Sequence, residues 1–274
     1  MSLTPSEKRQ LGFTLIELLV ALGIFLLITG AAFTLLSSSQ KSYQTESQVL
    51  TSFQEARLAL DQIVRDVNDA GYPPATFFSS SFPLRSASFP FAWSPGYTVP
   101  TPCQIGTAGG GTCTTATAGN SSPGDFDLII ETNPNPQTNP TVQWIRYQLQ
   151  GTTLMRGMVD KVSGGDPDAT TSGANLAPFV QNVVNNSTPA QIAQYQAAYP
   201  GMFPGGIPVP IFSYTCDTGN VPLACPSAGT ANSSANIRDV IVTLIVAAPL
   251  PDATTGHLRL VQLSGRGRRV NPNQ

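Results

Sequence analysis

Residues 12–36 read GFTLIELLVALGIFLLITGAAFTLL, and this stretch decides the fold because it is apolar except at a few positions. Residues 15–36 would form a helix about 33 Å long, which is enough to cross the hydrocarbon core of a membrane. Glu17 is the only charged residue in the stretch, and a carboxylate within lipid is costly. The sequence therefore predicts a membrane-spanning helix in which Glu17 is a candidate functional residue.

The flanks of the stretch indicate its orientation and leave more than one interpretation open. Lys8 and Arg9 precede it, and no further basic residue occurs before Lys41. The positive-inside rule therefore predicts a cytoplasmic N-terminus and an exported remainder. A cleaved signal peptide is disfavoured, because the apolar run is long and no A-x-A-like site follows it. A plain single-pass anchor, with Glu17 reaching to the membrane surface, is the other alternative.

The helix is predicted to continue beyond the membrane as an amphipathic segment. Apolar residues recur there at three- and four-residue steps: Val49, Phe53, Ala56, Leu60, Ile63 or Val64, and Val67. No proline interrupts the pattern before Gly71, which is a natural stop signal. We therefore expect one long helix, with a spanning part at 13–36 and an amphipathic part at 37–70 that lies across a sheet. Gly23 and Gly30 are positions at which it could bend.

Residues 71–274 are predicted to form an exported, β-rich globular domain. The chain holds 24 glycines and 24 prolines, and only 11% of its residues are charged, which indicates many turns. Apolar and alternating runs predict strands in these segments: 125–132, 142–149, 153–159, 178–184, 209–215, 238–249 and 257–265. A short helix is expected after Thr188, which forms a capping box with Gln191. Residues 72–124 are expected to be a long loop region.

The strand pattern also predicts some of the neighbours. Segments 142–149 and 153–159 are expected to form a hairpin around Gly151. The run at 238–249 is apolar on both faces, which predicts a central strand, and the segment that begins at His257 is expected to pair with it. Segment 209–215 is expected to be a strand or an edge.

Four cysteines, Cys103, Cys113, Cys216 and Cys225, form two close pairs along the sequence. Oxidation is expected because this part of the chain is predicted to be exported. We predict the local disulfides Cys103–Cys113 and Cys216–Cys225, since short loops close most readily. A zinc site is the rival interpretation, but C-x-x-C spacing is absent and His257 is the only histidine.

No catalytic or cofactor-binding constellation is recognisable. Any Ser-His-Asp or Cys-His scheme would need His257, which lies beside a predicted turn and is expected to be solvated. Asp160, Asp166 and Asp168 could gather calcium ligands, but their spacing is not that of an EF-hand, and a solvated turn is favoured. A net charge of −2 predicts no surface for nucleic acid. We therefore expect no enzymatic activity, no metal and no cofactor.

The stretch G-FTLIELLVAL closely resembles the prepilin processing motif of type IV pilins and type II secretion pseudopilins. The resemblance implies that prepilin peptidase removes a leader, residues 1–12, by cutting between Gly12 and Phe13, and that Phe13 is N-methylated. Glu17 is then the fifth residue, which in the family is thought to meet the N-terminal amine of a neighbouring subunit. Two unit charges about 4 Å apart attract by about 4 kcal/mol at an effective dielectric of about 20. A pair within one chain is the alternative, since residues four apart share a helix face.

Three later segments, RLALDQIVRDVNDAGY, WIRYQLQGTTLMRG and RDVIVTLIVAAP, are similar in order to landmarks of PilW-type minor pilins and the related J-type pseudopilins. The resemblance implies an α+β pilin fold, in which one long N-terminal helix packs on an antiparallel β-sheet. It also implies a minor pilin that helps to initiate or cap assembly of a type IV pilus. A pseudopilin of a type II secretion system and a tip adhesin are the alternatives.

The implied partners are other major and minor pilins, prepilin peptidase, the inner-membrane assembly platform and, before assembly, the lipid bilayer. The implied location is the inner membrane, with a single span, a cytoplasmic N-terminus and a periplasmic domain that later joins an extracellular filament. Arg266, Arg268 and Arg269 near the C-terminus have two interpretations: a contact with an acidic partner such as an adjacent pilin, or a solvated tail.

Overall fold

The computed structural model describes residues 14–74, 77, 83–87, 90–92, 124–162, 175–217, 222–224, 236–252 and 255–270. Within these residues, the helices and strands are α1 (Leu15–Asn68), β1 (Asp127–Thr132), β2 (Gln143–Gln150), β3 (Thr153–Asp160), β4 (Ala177–Val180), α2 (Pro189–Ala198), β5 (Phe212–Asp217), β6 (Pro222–Ala224), β7 (Ile237–Pro251) and β8 (Leu258–Arg268). The α+β fold class is confirmed, because a long N-terminal apolar helix packs on antiparallel sheets.

Helix α1 is unbroken over 54 residues, which corresponds to about 80 Å at the usual rise per residue. It continues through Gly23 and Gly30, so neither glycine interrupts it. Its buried residues lie in the C-terminal part: Thr45, Ala56, Ala59, Leu60, Ile63, Asp66 and Val67. The predicted amphipathic face is therefore confirmed in this part, although Val49 and Phe53 are only half-buried.

The first sheet has the strand order β1-β2-β3-β4 and is antiparallel. β2 and β3 form the predicted hairpin, and the positive φ of Gly151 suits the tight turn between them. Ile145 and Tyr147 on β2 face the core shared with α1. The predicted strand at 178–184 is shorter than expected, because pairing with β3 ends at Val180.

The opposite face of this sheet carries buried charges. Arg146 donates two hydrogen bonds to Asp127, at 3.0 and 2.6 Å. Lys161 Nζ lies 2.8 Å from Glu131, which also accepts the indole N–H of Trp144. A buried charge is tolerated when an opposite charge and further hydrogen bonds compensate for lost water, and both pairs meet that condition.

The second sheet has the order β6-β5-β7-β8 and is also antiparallel. β7 is central and pairs with β8, as predicted from its apolar character on both faces. The expectation of a strand at this segment is confirmed by β5, but β5 lies between β6 and β7, so the alternative of an edge is wrong. The short strand β6 was not predicted, because three residues of pairing leave no period in the sequence.

The segment after β4 joins the two sheets, because residues 182–184 pair with β7 beyond the end of β5. The buried side chain of Asn185 completes this join. Its Nδ2 donates to the carbonyls of Val209 at 3.1 Å and Thr243 at 2.9 Å. Its Oδ1 accepts the backbone N–H of Ile245 at 2.7 Å. One side chain therefore satisfies three backbone groups in the core.

Helix α1 packs mainly against β7 and β8, and two glycines permit the close approach. A Cβ at Gly267 would lie 2.6 Å from the Cβ of Val67, and one at Gly265 would lie 3.0 Å from Leu60 Cδ1. The glycines are two residues apart, so both face the helix from the same side of β8. The absence of their side chains lets α1 and the two sheets share one apolar core.

The C-terminal arginines are part of the sheet, which corrects the solvated-tail interpretation for two of them. Arg266 donates to Asp239 of β7 at 2.6 Å, and Arg269 is only 5% exposed. Burial lowers the pKa of Arg269, while the nearby charge of Asp217 acts in the opposite direction. The side chain of Arg268 is exposed. Strand β8 extends to Arg268, so the basic run is held by strand pairing.

The remaining predicted sites are partly outside the described residues. Cys216 on β5 is buried and disulfide-bonded, but the other three cysteines lie outside the described residues. The two predicted pairings therefore stay predictions. Asp160 accepts hydrogen bonds from Asn139 and Gln143, at 2.9 and 2.8 Å, whereas Asp166 and Asp168 are not among the described residues.

Candidate functional site: the exposed half of helix α1

The candidate site is residues 15–36 of α1, because no described part of the chain covers their large apolar side chains. Leu15 is 78% exposed, Phe25 63% and Leu27 76%, and similar values extend along all sides of the helix. Exposed apolar surface is unfavourable by about 25 cal/mol per Å² relative to burial. Lipid or other apolar helices are the environments that would relieve this cost.

The polar side chains within this half-helix are already satisfied by their own backbone. Thr29 Oγ1 donates to the carbonyl of Phe25 at 2.7 Å. Thr34 Oγ1 donates to the carbonyl of Ala31 at 2.7 Å. Such bonds to the preceding turn remove the need for water, so both threonines are compatible with apolar surroundings.

Within the described residues, α1 is the one helix whose length and composition would let it cross a membrane. Core helices of soluble proteins and signal sequences can meet the same criterion. The most apolar window of α1 is not buried at all, so a core helix does not explain it. The exposed apolar half of α1 is therefore compatible with insertion into a membrane.

Glu17 is held at the N-terminal end of α1 by a reciprocal cap. Its carboxylate oxygen Oε2 accepts the backbone N–H and the hydroxyl of Thr14, both at 2.9 Å. Its own backbone N–H donates to Thr14 Oγ1 at 3.3 Å. This arrangement satisfies groups that the first turn of a helix otherwise leaves without partners. Glu17 therefore stabilises the start of its own helix in the isolated chain.

This capping box was missed at the level of sequence, although its signal was present. Thr14 and Glu17 stand in the spacing T-x-x-E before an apolar run, which is the pattern for a helix N-terminus. The same reasoning correctly predicted the cap of α2, where Thr188 and Gln191 form the equivalent bonds. The charge of Glu17 suggested a role in docking, whereas its contacts with Thr14 show a role in capping the helix.

The geometry leaves part of the Glu17 carboxylate available. Oε2 takes both bonds from Thr14, while Oε1 accepts no hydrogen bond from a described residue. Gly12 and Phe13 lie outside the described residues, so the predicted amine contact stays a prediction. A carboxylate can accept several donors, so a cationic partner could bind Oε1 without displacing Thr14.

The other half of α1 is fastened to the first sheet by a buried polar cluster. Asp66 accepts the hydroxyl of Tyr147 at 2.5 Å and Arg156 Nη2 at 2.9 Å. Arg156 Nε also donates to the Tyr147 hydroxyl at 2.9 Å. Burial, reinforced by the charge of Asp66, raises the pKa of Tyr147 well above its ordinary value. The phenol therefore stays protonated and donates to Asp66.

Helix α1 therefore has two different halves. The N-terminal half is apolar and exposed, and its first turn is capped by Thr14 and Glu17. The C-terminal half is packed into the domain. The chain carries the prokaryotic N-terminal methylation motif, matched over residues 8–33. The motif supports a place among the type IV pilins and pseudopilins, which prepilin peptidase processes. The matched range includes Gly12, Phe13 and Glu17. Comparisons with curated proteins and with solved structures found no match.

The methylation motif covers most of the exposed half of α1 and none of the outer domain. His257, the histidine on which any predicted catalytic scheme depended, is exposed in the turn between β7 and β8. Its backbone carbonyl accepts the N–H of Asp252, and its N–H donates to Thr255. This is the solvated turn position expected from the sequence.

Proposed function

We propose that this chain is a minor pilin that helps to initiate or cap assembly of a type IV pilus. Prepilin peptidase cuts it between Gly12 and Phe13 on the cytoplasmic side, and Phe13 is N-methylated. The domain that begins near residue 71 lies in the periplasm until the subunit joins the filament. The function is structural, with other pilins and the inner-membrane assembly platform as partners, and it involves no enzymatic step of its own.

The observation that carries this proposal is the coincidence of the methylation motif with an apolar half-helix that the described residues leave uncovered. Residues 15–36 fit lipid before assembly and fit neighbouring apolar helices afterwards. The similarity of later segments to PilW-type minor pilins supports a minor role. The loop-rich outer domain suits a subunit with few neighbours above it, near the tip of a filament.

Processing is tested by mass spectrometry of sheared surface filaments, compared with the membrane fraction of the same cells. We expect a peptide that starts at N-methylated Phe13, at a small fraction of the most abundant pilin. Gly12→Val should leave the leader in place and keep the protein in the membrane. Gly23→Ala is the matched control within the motif, because a Cβ at Gly23 meets nothing within 4 Å.

Several outcomes would replace this proposal by a specific alternative. An intact leader in the unmodified chain would favour a plain membrane anchor. An amount equal to the most abundant pilin would make the chain a principal subunit. If deleting the gene stops protein secretion and leaves pili unchanged, the pseudopilin of a type II secretion system becomes the better assignment.

The role of Glu17 can be separated into capping and docking by one substitution. Glutamine at this position of a capping box still reaches back to the N-cap backbone, so Glu17→Gln keeps the cap and removes the charge. We expect Glu17→Gln to be processed normally but to be lost from filaments. Thr14→Ala removes the cap and keeps the charge, and it should still enter filaments. Normal incorporation of Glu17→Gln would show that the charge has no docking function.

A further inference from the structure

The two sheets end in four edge strands, and three of these edges are short or covered. β1 is covered by residues 90–92, because the N–H of Ala92 donates to Ile129 and the N–H of Glu131 donates to Pro90. β4 has four residues and β6 has three, and each contains a proline. β8 is different, because it is an edge strand of 11 residues without proline. Proteins usually shorten, cover or interrupt such edges, since they invite further strands.

Apart from Arg268 at its C-terminal end, the outer edge of β8 presents backbone groups that the described residues do not bind. Arg269 donates its N–H inward to Arg238, so the N–H of Arg268 points outward, where it meets the Asn68 side chain. Backbone groups in an antiparallel pair alternate between the two edges of a strand. Four more residues of β8 therefore point their N–H and C=O groups outward in the same way: Leu260, which is buried, and Gln262, Ser264 and Arg266, which are exposed.

The side chains of β8 give this edge a basic character. The strand carries Arg259, Arg266 and Arg268 and no acidic residue. Arg259 is paired with Asp252, and Arg266 with Asp239, but the side chains of these aspartates are only 8% and 0% exposed. The arginine side chains are 44% and 56% exposed, so the groups that these pairs present to a partner are guanidinium donors, and the exposed side chain of Arg268 adds a further positive charge. Pairing with a second β8 would bring two basic strands together, which disfavours a second copy as partner.

We propose that β8 is a docking edge to which a different filament subunit adds an extended segment carrying acidic side chains. Main-chain hydrogen bonds to Gln262, Ser264 and Arg266 would provide affinity, and carboxylates beside the arginines would provide selectivity. The inference rests on the proposed function, because it takes the partner from the filament. The long edge of β8 would then join this subunit to a filament subunit of a different sequence.

A photo-crosslinking experiment in intact cells tests this proposal. The photoreactive amino acid p-benzoylphenylalanine is placed at Ser264, filaments are irradiated and sheared, and adducts are mapped by tandem mass spectrometry. Ser213 is the matched control, since it is exposed on the same sheet face but lies on the internal strand β5. We expect adducts from Ser264, and not from Ser213, within an acidic segment of another filament subunit.

The same samples distinguish failure of this inference from failure of the proposed function. Filaments that contain the peptide starting at Phe13 but show no Ser264 adduct would overturn the docking edge and leave the pilin assignment intact. An adduct to a second copy of this chain would also overturn it. Absence of the processed peptide from filaments would reject the proposed function itself and the inference with it.

A proline substitution provides a second test that is independent of the photoreactive group. Ser264→Pro removes an outward N–H and retains the inward bonds of Leu263 and Gly265 to β7, so an edge strand tolerates it. We expect the subunit to keep its melting temperature and to be lost from filaments. If the domain unfolds, Ser264→Glu replaces it, because a carboxylate on this edge repels an acidic segment. Unchanged incorporation of either folded variant would contradict the proposal.

Discussion

Replacing Gly267 by alanine tests the closest contact between helix α1 and strand β8. The added Cβ would lie 2.6 Å from both Cβ and Cγ1 of Val67 and 3.3 Å from the carbonyl oxygen of Val64. The Cβ of Val67 is fixed by the helix backbone, so no side-chain rotation relieves this contact. Either the strand or the helix must move, and both belong to the same core.

The expected loss of stability depends on whether the atoms near the added Cβ can move away. Overpacking a core costs about 1–3 kcal/mol, and we expect Gly267→Ala to fall near the top of this range, at about 2–3 kcal/mol. Gly265→Ala meets the side-chain end of Leu60 at 3.0 Å, which can rotate. Its expected cost is therefore smaller, at about 1 kcal/mol. Gly201→Ala has nothing within 4 Å and should change stability by less than about 0.5 kcal/mol.

The measurement is thermal unfolding of the full chain in detergent, followed by tryptophan fluorescence, to which the buried Trp144 contributes. For a domain of this size we expect Gly267→Ala to lower the Tm by about 5–10 °C. The order of the three variants matters more than any single value. A Gly267→Ala variant as stable as Gly201→Ala would show that β8 does not approach Val67 closely, and the described packing of α1 would be wrong.

Three further changes probe separate parts of the molecule. Asn185→Ala should cost about 3–4 kcal/mol by urea unfolding, because one buried and two half-buried backbone groups lose their partner. Tyr147→Phe should cost about 1–2 kcal/mol, because Asp66 loses a buried hydrogen bond. Desolvation acts to raise the pKa of Asp239, but hydrogen bonds from Arg266 and Thr215 and the positive charges of Arg266 and Arg238 together lower this pKa. The carboxylate therefore stabilises the fold above its ordinary pKa of about 4, and this contribution is lost as pH falls through the lowered folded value. Arg266→Gln should move acid unfolding to higher pH.

Each of these variants has a matched control on the same element or of the same residue type. Asn186→Ala changes the exposed neighbour of Asn185 and should be close to neutral. Tyr72→Phe alters a partly exposed tyrosine, at 39%, and should leave stability unchanged. Arg268→Gln removes an exposed arginine without altering Asp239. Equal effects of a variant and its control would contradict the contact assigned to that residue.

Much of the fold could be predicted because its signals are local. The period of apolar residues identified α1, and the capping box at Thr188 identified the start of α2. The strand β7 was recognised as central because it is apolar on both faces. In each of these cases, residues near one another in sequence determine the element.

The features that were missed depend on residues far apart in sequence. The role of the Asn185 side chain, which binds three backbone groups, could not be predicted, because these groups lie on two other segments. The run SGRGRRV suggested a basic tail, since its arginines are conspicuous. The spacing of Gly265 and Gly267 was the useful signal, and it becomes meaningful only once a helix lies against that face. The arginines of this run were interpreted from their charge, whereas its two glycines determine how closely α1 packs against β8.

The unbroken course of α1 has a mechanical consequence. Tension applied to the exposed half of the helix would reach the domain through a single rod, without a hinge at Gly23 or Gly30. It would load the contacts against β7 and β8 and the ion pair at Asp66 at the same time. Contacts strained together in shear yield less readily than contacts opened one after another. Gly265 and Gly267 allow close packing between β8 and α1, and this packing would help the domain to resist a pulling force on the helix.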